Sequence, residues 1–576
     1  MSLPTIDVET KSRIYQTFSG VDFSSEEVKT YRSPDSVNMW KDYNNETGKG
    51  IETRPGMTLL GQFPLQINGL FFYKVQDSLN VLVHSGTKLL RWNNYPDKPV
   101  QTTELFSSMN PVKSQAFVWN NILFIKDGIN YLEYDGINAK SVEGTIPTTI
   151  HLSTPSGAGT KFQDVNLLTS KRKNMFVGDG KTLEYMLDSQ NIDNSNVVCE
   201  VDGETLVENI GFNVDRVNGK VIFNVAPSKA DGTDNVVITF SKTISGDADK
   251  IKKCTILSTF DNRVFFSGNQ DYPNVLFHSE LNDPRYVSKF YNEGNDFAKI
   301  KALIPGNNSI WAIKEQSQDS ASAFYHEPTN DYDYGKVYPS QQANISTGCV
   351  STGINFKDDI VFLSQYGLEA ISGNIGNEKM LAHRSTNVDN KMINETNYKQ
   401  AQMIEFRGYL LVLINSKLFL ADSRQRWQGN DIEYEWYYWE LPESINFMKE
   451  YDNELYLGNS NGNIYKLSGT TDNGVPIHSK WSTPSDSFGY EAYRKTTNKR
   501  GCIANIMKKN SNIKVEVAID GGLPEIVDTY SDEKGYIVCR IKKKKWKRIQ
   551  LIFSSNEQFG LFLCTLEVFI GGYIKR

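Results

Sequence analysis

The sequence predicts an all-β protein: a β-propeller with an inserted β-sandwich and a C-terminal β-sandwich that acts as a platform. The 576 residues include 29 Tyr, 30 Phe and 42 Gly, and aromatic runs separated by turn-forming residues are typical of many short strands. Hairpin patterns of one kind recur along the chain. One long segment and the C-terminal part replace this recurrence with other strand patterns, which indicates separate domains.

The recurrent hairpins share an apolar strand, a polar turn rich in Asn or Asp, and a second apolar strand. In FDNRVFFSGNQDYPNVLFHS (Phe260–Ser279), the strands RVFFSG and NVLFHS are joined by the loop NQDYPN. Most repeats begin about 40–55 residues apart, which is the spacing of four-stranded propeller blades. We therefore expect the first blades in residues 67–140 and the remaining blades in residues 251–480, although an array of β-sandwiches would give similar hairpins.

The segment 141–250 interrupts this spacing. Its stretches NMFVGDGKTLEYML and NVDRVNGKVIF alternate apolar and polar residues around Asp-Gly and Asn-Gly turns, a pattern typical of hairpins in a compact sandwich. Small polar residues flank the segment on both sides, as expected where a chain enters and leaves an inserted domain.

Strand patterns return in residues 481–576, for example in NIKVEVAIDGG and FGLFLCTLEVFIGG, and predict a second sandwich. Residues 1–66 are interpreted as an N-terminal arm that contributes strands to this platform. Within the blades, WYYW (Trp436–Trp439) is interpreted as propeller core, with an exposed aromatic interface patch as the alternative.

A turn is predicted in the N-terminal arm at RPG. Pro55 favours an extended conformation for Arg54, and Gly56 permits a sharp bend. The apolar side chains of Met39, Trp40 and Met57 would anchor the arm on the propeller or on a neighbour. The turn is either an ordinary loop or part of an interface.

Motifs for catalysis, cofactors or metals are not evident. The six His are spread singly, whereas a zinc site needs clustered donors. There is no nucleophile elbow, P-loop or dinucleotide fingerprint. Asp331 and Asp333 could flank a glycosidic bond or hold a cation, but this spacing is common in turns. We predict no enzymatic activity, no cofactor and no metal site.

The six cysteines form no Cys-x-x-Cys motif, which indicates free thiols in a reducing compartment, with a Cys539–Cys564 pair left open. The first residues, MSLPTIDVETKS, lack the charged and apolar regions of a signal peptide. No apolar run approaches the ~18 residues that a transmembrane helix needs. The expectation is a chain without a signal peptide or a membrane segment.

The strongest local charge lies in IKKKKWKRIQ (Ile541–Gln550). One interpretation is a DNA-facing stripe with an aromatic stacking surface, and the other is an edge strand whose lysines prevent unwanted pairing. The net charge of −6 becomes −12 without these six cations, so the rest of the chain is acidic and would repel a duplex. The residues concerned are Lys542, Lys543, Lys544, Lys545, Trp546, Lys547 and Arg548.

The segment Phe18–Gly61 resembles the N-terminus of bacteriophage tail nozzle proteins, also called packaged-DNA stabilisation proteins or tail accessory factors. The resemblance is carried by SPDSVNMW (Ser33–Trp40) and ETRPGM (Glu52–Met57), and it extends over most of the chain. Related phage head–tail and tail-tube components share this opening. The resemblance implies a structural protein of the virion, synthesised in the host cytoplasm and located in the phage tail.

The resemblance further implies a ring of identical subunits, six in the short-tailed phages, below the portal and adaptor. Such a ring would extend the DNA channel and retain the packaged genome until ejection. Its partners would be other copies of itself, the portal and adaptor proteins above, tail fibre or needle proteins beside or below, and double-stranded DNA that passes without sequence-specific contacts. The candidate interface residues are Pro34, Asp35, Asn38, Trp40, Arg54, Pro55 and Gly56.

Two other functions are weighed against the nozzle. A distal tail or receptor-binding component would contact the host surface, with the inserted sandwich touching host glycans. A propeller glycosidase of the sialidase type should show repeated SxDxGxxW turns, which this sequence lacks.

Overall fold

A computed structural model describes the fold of the chain. The described residues are 9–24, 27–43, 50–75, 77–317, 321–331, 335–375, 378–424, 433–506, 511–531, 535–541 and 545–573.

The secondary structure consists almost entirely of short strands. In the first part of the chain they are β1 (Glu9–Tyr15), β2 (Met39–Trp40), β3 (Ile51–Thr53), β4 (Met57–Gln62), β5 (Ile67–Val75), β6 (Ser78–Ser85), β7 (Lys88–Trp92), β8 (Thr102–Phe106), β9 (Gln115–Trp119), β10 (Ile122–Lys126), β11 (Tyr131–Tyr134), β12 (Ala139–Ser141), β13 (Thr148–Ser153), β14 (Thr160–Lys161), β15 (Lys171–Phe176), β16 (Glu184–Met186), β17 (Val198–Val201), β18 (Glu204–Leu206), β19 (Phe212–Asp215), β20 (Lys220–Phe223) and β21 (Val236–Ser241).

The strands continue in the second part with β22 (Ile256–Phe260), β23 (Arg263–Ser267), β24 (Val275–Glu280), β25 (Asp283–Asn292), β26 (Ile300–Pro305), β27 (Ile310–Lys314), β28 (Ala323–His326), β29 (Thr329–Asp331), β30 (Gly335–Val337), β31 (Ser340–Gln342), β32 (Gly353–Phe356), β33 (Asp359–Ser364), β34 (Gly367–Ile375), β35 (Glu378–His383), β36 (Gln402–Phe406), β37 (Tyr409–Ile414), β38 (Lys417–Asp422), β39 (Glu435–Glu440), β40 (Ile445–Tyr451), β41 (Glu454–Asn459), β42 (Asn463–Leu467), β43 (Thr471–Asp472), β44 (Val475–Pro476), β45 (Ser479–Ser482), β46 (Tyr493–Ile506), β47 (Ile513–Ile519), β48 (Glu525–Tyr530), β49 (Tyr536–Cys539), β50 (Ile549–Ser555) and β51 (Gly560–Tyr573). The helices are α1 (Asp247–Lys252), α2 (Asp389–Met392) and a 3-10 turn at Tyr398–Gln400.

The predicted all-β class is confirmed, because 52% of the chain is strand and 3% is helix. The chain divides into two compact units. Unit 1 comprises Met1–Phe72, Trp92–Thr103 and Cys349–Arg576, and unit 2 comprises Tyr73–Arg91 and Glu104–Gly348. The four-stranded sheet β5–β8 contains points at which the chain passes from one unit to the other. The five segments drawn from the sequence, 1–66, 67–140, 141–250, 251–480 and 481–576, stay a prediction.

Unit 1 contains two antiparallel four-stranded sheets in chain order, β32–β35 and β36–β39. A third sheet is formed by β40, β41 and β42, and β4 from near the start of the chain pairs antiparallel with β42, with Met57 opposite Leu467. The WYYW stretch forms β39 and is buried, with each of its four side chains at most 1% exposed. The interpretation as core is therefore confirmed.

The C-terminal sandwich of unit 1 consists of two sheets that share one apolar core. One sheet runs β45-β50-β47-β48, and the other runs β2-β3-β51-β46-β49 with β1 paired to β51. Tyr15, Trp40 and Ile51 from the N-terminal segment lie in the same buried cluster as Phe553 and Leu566. The N-terminal strands are therefore part of the core of this sandwich.

Unit 2 contains three four-stranded antiparallel sheets, β9–β12, β22–β25 and β26-β27-β28-β31. Phe124 and Tyr131 of the first pack with Phe266 and Phe277 of the second in one buried cluster. The stretch Phe260–Ser279 forms β23 and β24 as expected from its sequence. Successive four-stranded antiparallel sheets of this kind are the units from which propellers are built.

The hairpin turns in both units follow one local rule. A two-residue type I′ turn needs positive φ at both central residues, which Asn, Asp and Gly tolerate best. We call the sheets β9–β12, β22–β25, β26-β27-β28-β31, β32–β35, β36–β39 and β40-β41-β42-β4 the blade-like sheets. The structure has such pairs of residues between the first two strands of five of these sheets. They are Asn120–Asn121, Asp261–Asn262, Lys357–Asp358, Arg407–Gly408 and Asp452–Asn453.

The inserted sandwich lies in unit 2 and is formed by β13–β21. One sheet runs β14-β13-β15-β21-β17-β18 and the other runs β16-β20-β19. Phe176 and Ile238 of the first sheet pack with Tyr185, Phe212 and Val221 of the second, and all five are buried. The predicted sandwich is therefore present.

Candidate functional site

Arg54, one of the candidate interface residues of the N-terminal segment, is the centre of a buried hydrogen-bond network. Its guanidinium is 1% exposed and donates to both oxygens of the Asp472 carboxylate, at 2.8 and 2.6 Å. It also donates to the side-chain oxygen of Asn38 at 2.9 Å and to the carbonyls of Pro55 and Glu440, each at 3.0 Å. These five bonds use the full donor capacity of an arginine.

Asn38 extends this Arg54 network to β39 and to His478, the residue immediately before β45. Its backbone has φ 56°, a conformation that Asn tolerates better than most residues. Its side-chain oxygen also accepts from the backbone N–H of Glu440 at 2.9 Å, and its amide donates to the carbonyl of His478 at 2.8 Å. Asn38 and Arg54 therefore bind the N-terminal segment to three other parts of unit 1.

Gly56 is required by close backbone packing. A Cβ at this position would lie 2.0 Å from the carbonyl oxygen of Thr471, far inside contact distance. The backbone N–H of Gly56 donates to Gly469 at 2.9 Å, and its carbonyl accepts from the N–H of Ser468 at 2.8 Å. Residues 54–56 form neither a turn nor a bend, so the sharp bend predicted at RPG is wrong, and the need for Gly56 comes from the close packing of β4 against the β42–β43 connection.

Trp40 is buried at 1% exposure, with its ring 5.3 Å from that of Trp439 in an edge-on arrangement. Asp35 is half-buried and forms an ion pair with Lys480 at 2.6 Å, and Pro34 and Pro55 are also half-buried. Side chains as buried as Arg54 and Trp40 present almost no surface to a neighbour. A partner could therefore touch only Pro34, Asp35 and Pro55 among the seven candidates.

The basic run is only partly within the described residues, because Lys542, Lys543 and Lys544 lie outside them. Lys545 and Lys547 are exposed. The carboxylate of Glu491 accepts from two nitrogens of Arg548, at 3.0 and 2.6 Å.

Trp546 does not fit a stacking role. Its side chain is 1% exposed, and its backbone makes an isolated antiparallel bridge to Lys495. The ammonium of Lys495, itself 0% exposed, donates to the carbonyls of Tyr490, Tyr493 and Lys547 at 2.6, 3.0 and 2.8 Å. Trp546 is buried between the exposed Lys545 and Lys547, as alternate residues of an extended chain are, and its ring is not available to a nucleic acid.

Two histidines have carboxylate partners that no sequence motif indicates. His383 lies between Glu369 at 3.0 Å and Asp389 at 2.6 Å. These hydrogen bonds, the one to Asp389 first, raise the pKa of His383 to about 10, so the ring is a cation at neutral pH and a poor general base. His326 and Glu293 are 3.0 Å apart and both 0% exposed, so a substrate could not reach them.

Other groups considered for chemistry are dispersed. Within the described residues, no three His, Cys, Asp or Glu side chains converge in a way that could hold a metal ion. Asp331 is exposed on β29, while Asp333 lies outside the described residues. Cys539 and Cys564 are buried thiols without a disulfide between them. No helix in the described part of the chain has the length and apolar content that a membrane crossing requires.

No family model matches the chain, and no curated protein matches it. Among solved structures, BamB from Moraxella catarrhalis is 9% identical with a TM-score of 0.34, covering 72% of this chain and 98% of its own. YCF48 bound to D1 peptide is 7% identical with a TM-score of 0.33 and the same two coverages. The computationally designed Ika8 protein is 9% identical with a TM-score of 0.33, covering 72% of this chain and 100% of its own. Similarity at this level carries no statement about binding or activity.

Proposed function

We propose that the chain is a structural protein of a phage virion that forms a tail nozzle ring, with six copies below the portal and adaptor. The observation that carries the proposal is the Arg54 network. The two phrases of the N-terminal resemblance, SPDSVNMW and ETRPGM, contribute Asn38 and Arg54, which meet in one buried network. These phrases therefore specify how the N-terminal segment is joined to β39 and β43.

A C-terminal sandwich of this kind suits a ring subunit. Its two sheets share one core, to which strands from both ends of the described chain contribute. The surfaces that this sandwich offers to neighbouring subunits are therefore fixed relative to each other. The blade-like sheets would supply bulk and surfaces for portal, adaptor, fibre or needle proteins. An acidic channel wall would let double-stranded DNA slide, because phosphates find few cations to bind.

Locating the chain in particles tests the proposal directly. Cryo-electron microscopy of virions, with an antibody fragment bound to the inserted sandwich as a marker, should place density of this chain around the DNA exit channel below the portal. Particles assembled without the chain should lose their genome and become sensitive to nuclease. Absence of the chain from virions, or a position away from the exit channel as in a distal tail component, would contradict the nozzle.

The exposed part of the basic run is tested in the same particles. If Lys545 and Lys547 face the DNA, the double variant Lys545→Gln/Lys547→Gln should change the rate of genome loss, measured as nuclease-accessible DNA over time. Lys514→Gln, which alters a cation on β47, is the matched control. An unchanged rate in the double variant would mean that these lysines do not contact the genome.

A further inference from the structure

A cavity of about 760 Å³ opens in unit 2 between the first part of the inserted sandwich and the β24–β25 turn. Its volume is within the range of about 300–1,000 Å³ found for small-molecule sites. Lys161 and Phe162 come from the end of β14, and Glu280, Leu281 and Asp283 come from the turn and the strand ends beside it. None of these residues belongs to the network around Arg54.

One wall of the cavity is a fixed group of polar side chains around Asp164. The carboxylate of Asp164 accepts from the ammonium of Lys161 at 2.8 Å and from that of Lys289. The buried Tyr286 hydroxyl donates to the backbone carbonyl of Asp164 at 2.5 Å. This wall offers two ammonium donors and one carboxylate acceptor. The ion pairs among them hold the three groups in place.

The opposite wall carries two further carboxylates. The hydroxyl of Thr145 donates to Asp283 at 2.6 Å, and the backbone N–H of Arg285 donates to the other oxygen of Asp283 at 2.9 Å. Glu280 accepts a hydrogen bond from the Ser288 hydroxyl. Each ionised carboxylate has about four lone-pair sites, so both side chains retain acceptor capacity towards the cavity.

The rim of the cavity is apolar and exposed to solvent. Phe162 is 60% exposed and Leu281 is 54% exposed. The Phe162 ring lies 4.7 Å from the ring of His151, at an interplanar angle of 47°, which gives it a packing partner on one side. The exposed Phe162 ring therefore offers an apolar face beside a polar cavity.

The charges of the cavity select among ligand classes. Three carboxylates, on Asp164, Glu280 and Asp283, disfavour an anion such as a phosphate, and the two ammonium groups disfavour a small cation. An apolar ligand would leave the polar walls without hydrogen bonds. A neutral polyhydroxylated ligand satisfies both walls, because each hydroxyl can donate and accept and the C–H face of a sugar ring can pack on Phe162.

We propose that this cavity binds a neutral saccharide, with Phe162 as the packing surface and Asp164, Glu280, Asp283, Lys161 and Lys289 as hydrogen-bonding partners. The proposal stands independently of the nozzle, because it rests on side chains that play no part in the N-terminal network. It would give unit 2 a binding surface for a polysaccharide.

The test uses the purified full chain on an array of neutral hexose and N-acetylhexosamine oligosaccharides, followed by calorimetric titration with the strongest binder. The Phe162→Ala variant should lose affinity by about tenfold or more, because the apolar contact of the sugar face is removed. Phe297→Ala is the matched control: Phe297 is 82% exposed in the same unit and does not line the cavity. The Phe297→Ala variant should bind the saccharide with the same affinity as the unaltered chain.

Three results would overturn the proposal. They are binding of no saccharide on the array, equal affinity in the Phe162→Ala variant, and an equal loss in the Phe297→Ala control. Both phenylalanines are largely exposed, and thermal unfolding curves of the two variants check that folding is unchanged.

Discussion

Replacing Arg54 by methionine should destabilise unit 1 strongly. The change removes the counter-ion of Asp472, whose side chain is 6% exposed, and it leaves the Asn38 oxygen and the carbonyls of Pro55 and Glu440 without this donor. Removing one partner of a buried ion pair costs about 3–5 kcal/mol. Arg54→Lys keeps the charge, but its three N–H donors cannot replace five, so we expect an intermediate loss.

Urea unfolding followed by tryptophan fluorescence measures this loss. Trp40, Trp436, Trp439, Trp481 and Trp546 are all buried in unit 1, so its unfolding changes the signal. The denaturant slope rises with size from about 1–3 kcal/mol per molar urea in small proteins, so at a slope of about 3 or above a loss of 3 kcal/mol lowers the midpoint of this large unit by up to about 1 M. The double variant Arg54→Met/Asp472→Asn should lose less than the two single losses added together, because it leaves no unpaired buried charge.

The matched control is Lys514→Met on β47, which removes an ion pair with Glu516 at 2.8 Å near the surface, where the Lys514 side chain is 41% exposed. Surface pairs of this kind contribute about 0–1 kcal/mol. If Arg54→Met shifted the midpoint no further than Lys514→Met, the Arg54 network would not be what joins the N-terminal segment to β39 and β43.

Three further predictions concern other described residues. Gly56→Ala should lower the melting temperature sharply in differential scanning fluorimetry, because the added Cβ would lie 2.0 Å from the carbonyl oxygen of Thr471. Gly522→Ala, whose Cβ would have its nearest atom at 3.1 Å, should be tolerated. Equal melting temperatures of the two variants would refute the clash. The pKa of His383 is raised to about 10 from its ordinary 6.5, so its stabilisation is complete below pH 6.5 and is lost as the pH rises through about 10. His383→Gln should therefore flatten the fall of the urea midpoint between pH 7 and 10, and an unchanged slope would argue against this pair. Burial raises the pKa of Cys254 to about 12, so iodoacetamide should modify it only in urea, and peptide mass spectrometry showing modification of the folded protein would contradict this.

Local features of the fold could be predicted from the sequence because their causes are local. The Asn-Asn and Asp-Asn turns require only two adjacent residues that accept positive φ, and they mark the hairpins of both units. The alternation in residues 141–250 likewise sets which strand faces are buried. The interpretation of Trp436–Trp439 as core follows from the cost of exposing four adjacent aromatic side chains.

Long-range pairing could not be predicted, because the residues of a strand and its neighbours carry no information about which distant strand it pairs with. The RPG motif is visible in the sequence, but Asp472, the carboxylate partner of Arg54, lies 418 positions away. The pairing of β4 with β42 likewise joins segments that are far apart in the sequence. The stacking role considered for Trp546 fails because its ring is buried, and a single Trp among lysines is itself a signal of a side chain that points inward.

The pairing of β1 with β51 sets a condition on how the protein is made. Glu9 lies opposite Ile570, so the first described strand leaves the ribosome long before its partner exists. At about 5–20 residues per second, this delay amounts to tens of seconds up to about two minutes. A prematurely terminated product would contain the sheets formed in the middle of the chain but not the complete C-terminal sandwich. Incomplete translation products would therefore be excluded from any assembly that requires this sandwich.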